Sequence, residues 1–486
     1  MTSLYPDDYD PWDSDVEVTS DGGDAAAPQG PPVVATDIAI TEVAMLQGVK
    51  IPLMKDGATG TSAYASLVAG RPGLLRVYVK PSASFRSREI TAELTLTDAK
   101  KVATVRQVKL TVKRASTDAQ LDSTMNFTIA AEDVPSGSFT FNVRLMSAPQ
   151  ASTDGVPAQY PADLSSAGIK TASSGKLRIV VVPVRYNADG SGRAPDTSAA
   201  VLDAYRTAFF EMYPVTAVEI SVRASINWSG AINADRSGWS EVLNEIIDLR
   251  AKDMPTSDVY YIGTFAPASS FGNYCMNGCT AGLATLVSSA KDSSLRAGVA
   301  LGFGSDTYTT LAAVHETGHL HGRKHAPCGE PASIDKAFPY SDGSIKTWGY
   351  GVLTKELYSP DYSDFMGYCG ANWVSDYTYA ALLTRQQAVS PLEKGLTLPG
   401  GEYRFVQVGA DGNVRWGRTI NFPAAPTSNP TSIRTADVSG IIRNITGYYY
   451  PYSDDLGGIL LVRKSEVAGK RIEIDLRGTT RSLASQ

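Results

Sequence analysis

Histidine and cysteine are scarce in this chain, with four of each among 486 residues. No uninterrupted apolar run reaches the roughly 18 residues that a membrane-spanning helix requires, so no segment reads as a transmembrane span. Basic charge is not in excess either. The net charge is -6, and no basic stripe is available to neutralise phosphates, which excludes nucleic acid as the expected partner. The first residues lack the basic start and apolar core of a signal peptide. Residues 1–34 are instead rich in Asp, Gly, Pro and Ala, with acidic groups at Asp7, Asp8, Asp10, Asp13, Asp15 and Glu17. Such a segment has too little apolar surface to fold alone and is expected to be a disordered acidic tail. A tail of this kind fits a chain whose secretion signal or lipid anchor has been removed.

The whole chain has the composition of a globular protein, 43% hydrophobic and 19% charged, and is long enough for two to four domains. Residues 35–150 carry short alternating or β-branched runs such as Leu74–Val79, Val105–Val112 and Phe139–Leu145, separated by turn residues. This spacing predicts a β-sandwich. Residues 151–176, rich in Ser, Ala, Pro and Gly, read as a linker. From 177 to 395 the pattern changes. The run Leu177–Tyr186 reads as a buried strand. Helical spacing follows at 197–212, Trp239–Leu249, 308–321 and Tyr377–Gln387, with strands between. That alternation predicts an α/β (α+β) domain built on a twisted mixed sheet. Residues 396–486 become β-like again, a small third domain.

Four cysteines allow three pairings. Cys275–Cys279 together with Cys328–Cys369 is the preferred set. Four free thiols remain the alternative, and a cysteine zinc site fits the spacing poorly. Disulfides imply an oxidising compartment. The expected location is therefore extracellular, at a cell surface or periplasmic.

All four histidines fall inside one eleven-residue window, HETGHLHGRKH, at His315, His319, His321 and His325. His315 and His319 stand at i and i+4, which places both imidazoles on one helix face within reach of one ion. Glu316 is beside the first ligand, placed to take a proton from water. Gly322 lets the chain leave the helix, and the bend returns His325 as a third ligand. Three protein ligands leave a position open for water, the arrangement of one catalytic Zn2+. His321, about 200° around the helix from the i+2 relation, reads as packing or surface. Calcium is admitted by the many loop aspartates, although no EF-hand-like loop is present.

The window resembles the metzincin superfamily of zinc proteases, fitting HExxHxxGxxH at every fixed position. The resemblance implies a metzincin-like protease domain over 177–395, flanked by all-β domains, with catalytic Glu316. It implies a methionine turn beneath the metal, for which Met366 in Ser363–Cys369 is the candidate, followed by the helix Tyr377–Gln387. It gives Tyr368, two residues after that methionine, a role in stabilising the transition state, as in astacin-like and serralysin-like members. It makes the edge near Ala281–Val287 the strand along which an extended protein or glycoprotein substrate pairs. Cys275–Cys279 would then cap the loop entering that edge, and Cys328–Cys369 would tie the third ligand to the methionine turn. The order of regions is similar to secreted bacterial metzincins with an immunoglobulin-like domain before the protease, mucin-cleaving glycoproteases among them.

The expected function is thus a secreted zinc endopeptidase acting on extracellular proteins, glycoproteins and mucins among them. The alternative is a surface or carbohydrate-binding adhesin with secondary or lost proteolysis. Tyr448-Tyr449-Tyr450-Pro451-Tyr452 would supply its stacking surface, or else simply pack a strand on a core.

Overall fold

In the strand Arg88–Thr97, Ile90, Ala92, Leu94 and Leu96 alternate with polar neighbours, and all four are buried. This period-2 pattern recurs through the first third of the chain and fixes which face of each strand enters the core. The computed structural model describes residues 30–149, 155–163, 165–304, 307–389, 399–427, 429–454, 457–476 and 478–484. Most of the expected acidic tail lies outside them.

Two seven-stranded sheets form the first region. One runs Leu67–Val68, Ala167–Ala172, Ser138–Ser147, Arg88–Thr97, Ala103–Val112. The other is centred on Gly48–Lys55, Ile38–Leu46, Gly73–Pro81 and Met125–Ile129. Two expectations change here. Val33–Val34, assigned to the tail, pairs with Met146 and Ser147. The segment read as a linker contributes Gln159–Tyr160 and Ala167–Ala172 to the first sheet, antiparallel to Ser138–Ser147. The Ser/Gly/Ala composition signalled weak intrinsic strand preference, but a neighbouring edge supplied the backbone partners.

The middle region holds a six-stranded sheet ordered Ala217–Val222, Lys176–Tyr186, Val259–Phe265, Ala297–Leu301, Gly282–Ala284, with Ile226–Trp228 also pairing with Lys176–Tyr186. The first four strands are parallel and the last is antiparallel. The helices Ala199–Met212, Trp239–Asp253, Thr307–Leu320 and Asp376–Ala388 lie in this region. Trp239, Val242, Leu243, Ile246 and Ile247 are fully buried on one helix. Each such side chain contributes about 1.5–3 kcal/mol relative to leaving it exposed. A seven-stranded antiparallel sheet, ordered Val414–Ala424, Pro399–Gly409, Gly457–Arg463, Ile442–Pro451, Pro430–Ala436, Arg471–Leu476, Thr479–Leu483, ends the chain.

The expected α/β (α+β) metzincin-like fold class is corrected by these elements. The described residues are mostly β, 41% strand against 17% helix, with several curled sheets. Strand–helix alternation is confined to the middle region, and the seven-stranded sheets before and after it dominate the described residues.

The regions are not independent. The second sheet of the first region continues into Gly349–Tyr350, which pairs with Gly48 and Val49. The Trp373 indole donates to the Gly48 carbonyl at 2.7 Å. Arg71, fully buried, donates to Val215 O at 2.8 Å and Phe210 O at 2.5 Å. One apolar cluster joins Ala35, Leu177, Val299 and Phe405.

Candidate metal centre

The helix Thr307–Leu320 carries His315, Glu316 and His319, and packs against the strands Ala297–Leu301 and Gly282–Ala284. Its end is built by hydrogen bonding. Gly322 N–H donates to His319 O at 2.8 Å and Arg323 N–H to Gly318 O at 2.9 Å. Gly322 has φ +81°, a left-handed conformation that glycine adopts at little cost. The turn then delivers His325, whose carbonyl accepts from Asp335 N–H at 2.8 Å. Arg323 and Asp335 pair at 2.6 Å and secure the same loop.

The ligand atoms of His315, His319 and His325 all lie within 4.8 Å of one another, close enough to hold one metal ion. Each Nδ1 faces a backbone carbonyl: His315 to Phe365 O at 2.8 Å, His319 to Arg323 O at 2.7 Å and His325 to Ala332 O at 2.5 Å. A carbonyl only accepts, so each Nδ1 carries the proton and each Nε2 presents a lone pair. His315 Nε2 and His319 Nε2 stand 3.0 Å apart. Two lone pairs at that distance repel unless a cation lies between them. Burial holds His315 down at about pKa 4, with the neighbouring His325 adding to the effect, and holds His319 well below the ordinary imidazole range. Protons therefore do not fill the gap at neutral pH. The donor set, three neutral imidazoles, suits Zn2+.

Glu316 is buried beside these rings, and its Oε2 makes no hydrogen bond. Burial, reinforced by the negative charge of Asp454, pushes its carboxyl well above the usual range. An unsatisfied buried carboxylate is costly. A water held against a cation would satisfy it.

Met366 is buried under the same helix. A methyl group built on Gly318 would overlap the Met366 sulfur. The turn is shaped by Asp364, whose carboxylate accepts from Met366 N–H at 2.9 Å and Ser375 N–H at 3.0 Å. Ala326 N–H donates to Met366 O at 3.0 Å, and Tyr368 N–H to Cys328 O at 2.8 Å. Cys328 and Cys369 are disulfide-bonded with Cα atoms 5.6 Å apart, as are Cys275 and Cys279 at 4.7 Å. The first bridge joins the loop after His325 to the methionine turn.

Tyr368 is half-exposed, its ring centroid 4.9 Å from that of His325 and 5.9 Å from that of His315. Its hydroxyl donates to Asp454, and burial raises its pKa. His321 is turned away from the cluster. It stacks on Tyr260 at 4.5 Å, donates from Nδ1 to Thr317 O at 2.9 Å and meets Gln386 at 3.2 Å. It packs the helix. Tyr450 and Tyr452 are buried, so the tyrosine-rich strand is largely core rather than a stacking surface.

Sequence reasoning missed Asp454. It lies far along the chain, in no motif, and its arrival at the histidines depends on the C-terminal sheet. No protein-family model and no curated protein matches the chain. Among solved structures, the C-terminal domain of Wzt is similar over 30% of this chain and 80% of that one, at 12% identity and a TM-score of 0.19.

Proposed function

We propose that the chain is a zinc-dependent endopeptidase of extracellular proteins. One observation carries this reading: three imidazoles present their Nε2 atoms to one another with every Nδ1 anchored, beside a buried glutamate with an unsatisfied oxygen. The sequence HETGHLHGRKH, which resembles the metzincin motif, supports it.

Zinc bound there would supply Lewis acidity to a scissile carbonyl and to the attacking water. His315, His319 and His325 would hold it through Nε2. Glu316 takes the proton of the attacking water and passes it to the leaving amine. Tyr368, on the exposed side of the histidines, would donate to the developing oxyanion once its hydroxyl leaves Asp454. The edge near Ala281–Val287, expected to pair with an extended substrate, is instead taken at Ala284 and Leu286 by Ser453 and Pro451 of the chain itself.

The experiment is to measure zinc per chain by elemental analysis and to incubate the protein with denatured casein and with a heavily O-glycosylated protein. Cleavage that stops with chelator and with Glu316→Ala supports the reading. Cleavage of the glycosylated protein alone narrows the substrate to glycoproteins. Intact substrates in the presence of a full complement of zinc would sink it.

A further inference from the structure

The strand Ile442–Pro451 of the C-terminal sheet runs on into the middle region. Tyr452 bridges Thr285 in antiparallel register. Leu286 N–H donates to Pro451 O at 3.0 Å, and Ser453 N–H donates to Ala284 O at 3.0 Å. Ala284 N–H reaches Ser453 Oγ at 3.4 Å. Tyr452 is buried, and its hydroxyl approaches Asn244 Oδ1 at 3.4 Å. These contacts fix the backbone immediately before Asp454 against the edge of the sheet that lies under the histidine helix.

Asp454 is 9% exposed. Its Oδ1 lies 3.4 Å from His325 Nε2 and accepts the Tyr368 hydroxyl. With Nδ1 donating to Ala332 O, the neutral His325 that a metal requires turns its lone-pair nitrogen to the carboxylate. A carboxylate oxygen opposite a lone pair is repelled, and the contact becomes favourable when a cation binds both. Two donors on one tetrahedral zinc, each about 2.0–2.1 Å from it, stand roughly 3.3 Å apart. The observed separation matches that spacing and is too long for a good hydrogen bond.

We infer that Asp454 is a fourth protein donor to the ion held by His315, His319 and His325, so that the C-terminal β region completes the metal site. This rests on the proposed reading of the three histidines as metal ligands. Tyr368 then orients the carboxylate, the kind of outer hydrogen bond that ligating carboxylates commonly receive. Four protein donors fill a tetrahedral site, so an attacking water enters as a fifth ligand, an expansion that zinc sites sometimes make in the transition state.

The test compares the intact protein with Asp454→Asn and Asp454→Ala. Zinc affinity is measured by competition with a chromophoric chelator, and the absorption of the cobalt(II)-loaded protein is recorded. The expected result is one ion per chain throughout, a tenfold or greater loss of zinc affinity in Asp454→Ala, a smaller loss in Asp454→Asn, and an altered cobalt spectrum in both. Melting of the chelated proteins checks folding, and the near-isosteric Asn variant stands alone if the Ala variant does not fold. Zinc affinities within about twofold of the intact protein, with an unchanged cobalt spectrum, overturn the inference and leave Asp454 as a positioning residue for Tyr368. An intact protein that binds no metal overturns the histidine reading itself, and is told apart by its zinc content alone.

Discussion

The carbonyl of Phe365 accepts the Nδ1 proton of His315 at 2.8 Å, so the residue just before Met366 sets the tautomer of the first ligand. The methionine turn therefore holds the histidine by a hydrogen bond as well as supporting its helix by packing. Gly318→Ala attacks that packing, because the added methyl meets the Met366 sulfur. Overpacking of this kind costs about 1–3 kcal/mol. Denaturant unfolding of the chelated variant should show that loss, and the double variant Gly318→Ala, Met366→Ala should recover part of it. Equal stability of Gly318→Ala and the parent would contradict the contact.

Glu316→Gln retains shape and removes the base. Peptide hydrolysis should fall by about 10²–10⁴-fold or more, while zinc content stays at one per chain. The buried oxygen of Glu316 has no hydrogen-bond partner, so the neutral amide should also leave the chelated protein at least as stable as the parent. Assays of kcat alongside elemental analysis separate the two roles; joint loss of metal and activity would point to a ligand instead.

Replacing Cys328 and Cys369 with serine opens the link between the His325 loop and the methionine turn. Stability should drop by about 2–4 kcal/mol. Zinc affinity should fall as well, since Ala326 N–H to Met366 O then holds the loop with less support. Cys275→Ser with Cys279→Ser removes a bridge that closes a much shorter loop and should affect stability less. Calorimetry of both double variants would rank them.

Acid should destabilise the chelated protein through its histidines. Burial holds His315 at about 4 and His321 at about 3, against an ordinary value of 6.5. Above pH 6.5 both folded and unfolded chains are neutral at these groups. Below it the unfolded chain binds protons that the folded chain refuses, so stability declines as pH falls towards those folded values. Glu316, whose carboxyl is raised by burial, acts in the opposite direction. His321→Gln isolates one histidine, and its melting temperature should fall less steeply between about pH 7 and pH 4.5. Parallel curves for parent and variant would refute the assignment.

The histidine cluster was legible because its logic is local. Four residues of helix bring His315 to His319, and a left-handed Gly322 brings round His325. The side chain of His321 could likewise be turned away by counting degrees. Asp454 was not legible, since its place depends on a strand crossing to Ala284–Leu286 from another sheet. The balance of strand and helix was misjudged for a related reason. Ala167–Ala172 carries little intrinsic strand signal, and it becomes a strand because Ser138–Ser147 offers it a partner. Cross-strand pairing of this sort is written in distant residues, whereas helical spacing is written in neighbours.

The pairing of Gly349–Tyr350 with Gly48 and Val49, together with the Arg71 guanidinium on Phe210 O and Val215 O, makes the first β region structural mortar for the histidine-bearing one. Excising it would bare a raw strand and strip two carbonyls of their donor. The histidine region is thus not a detachable cartridge. Any recombination that carries it into another protein must bring the preceding β region along, and proteolytic trimming between the two would leave them clasped.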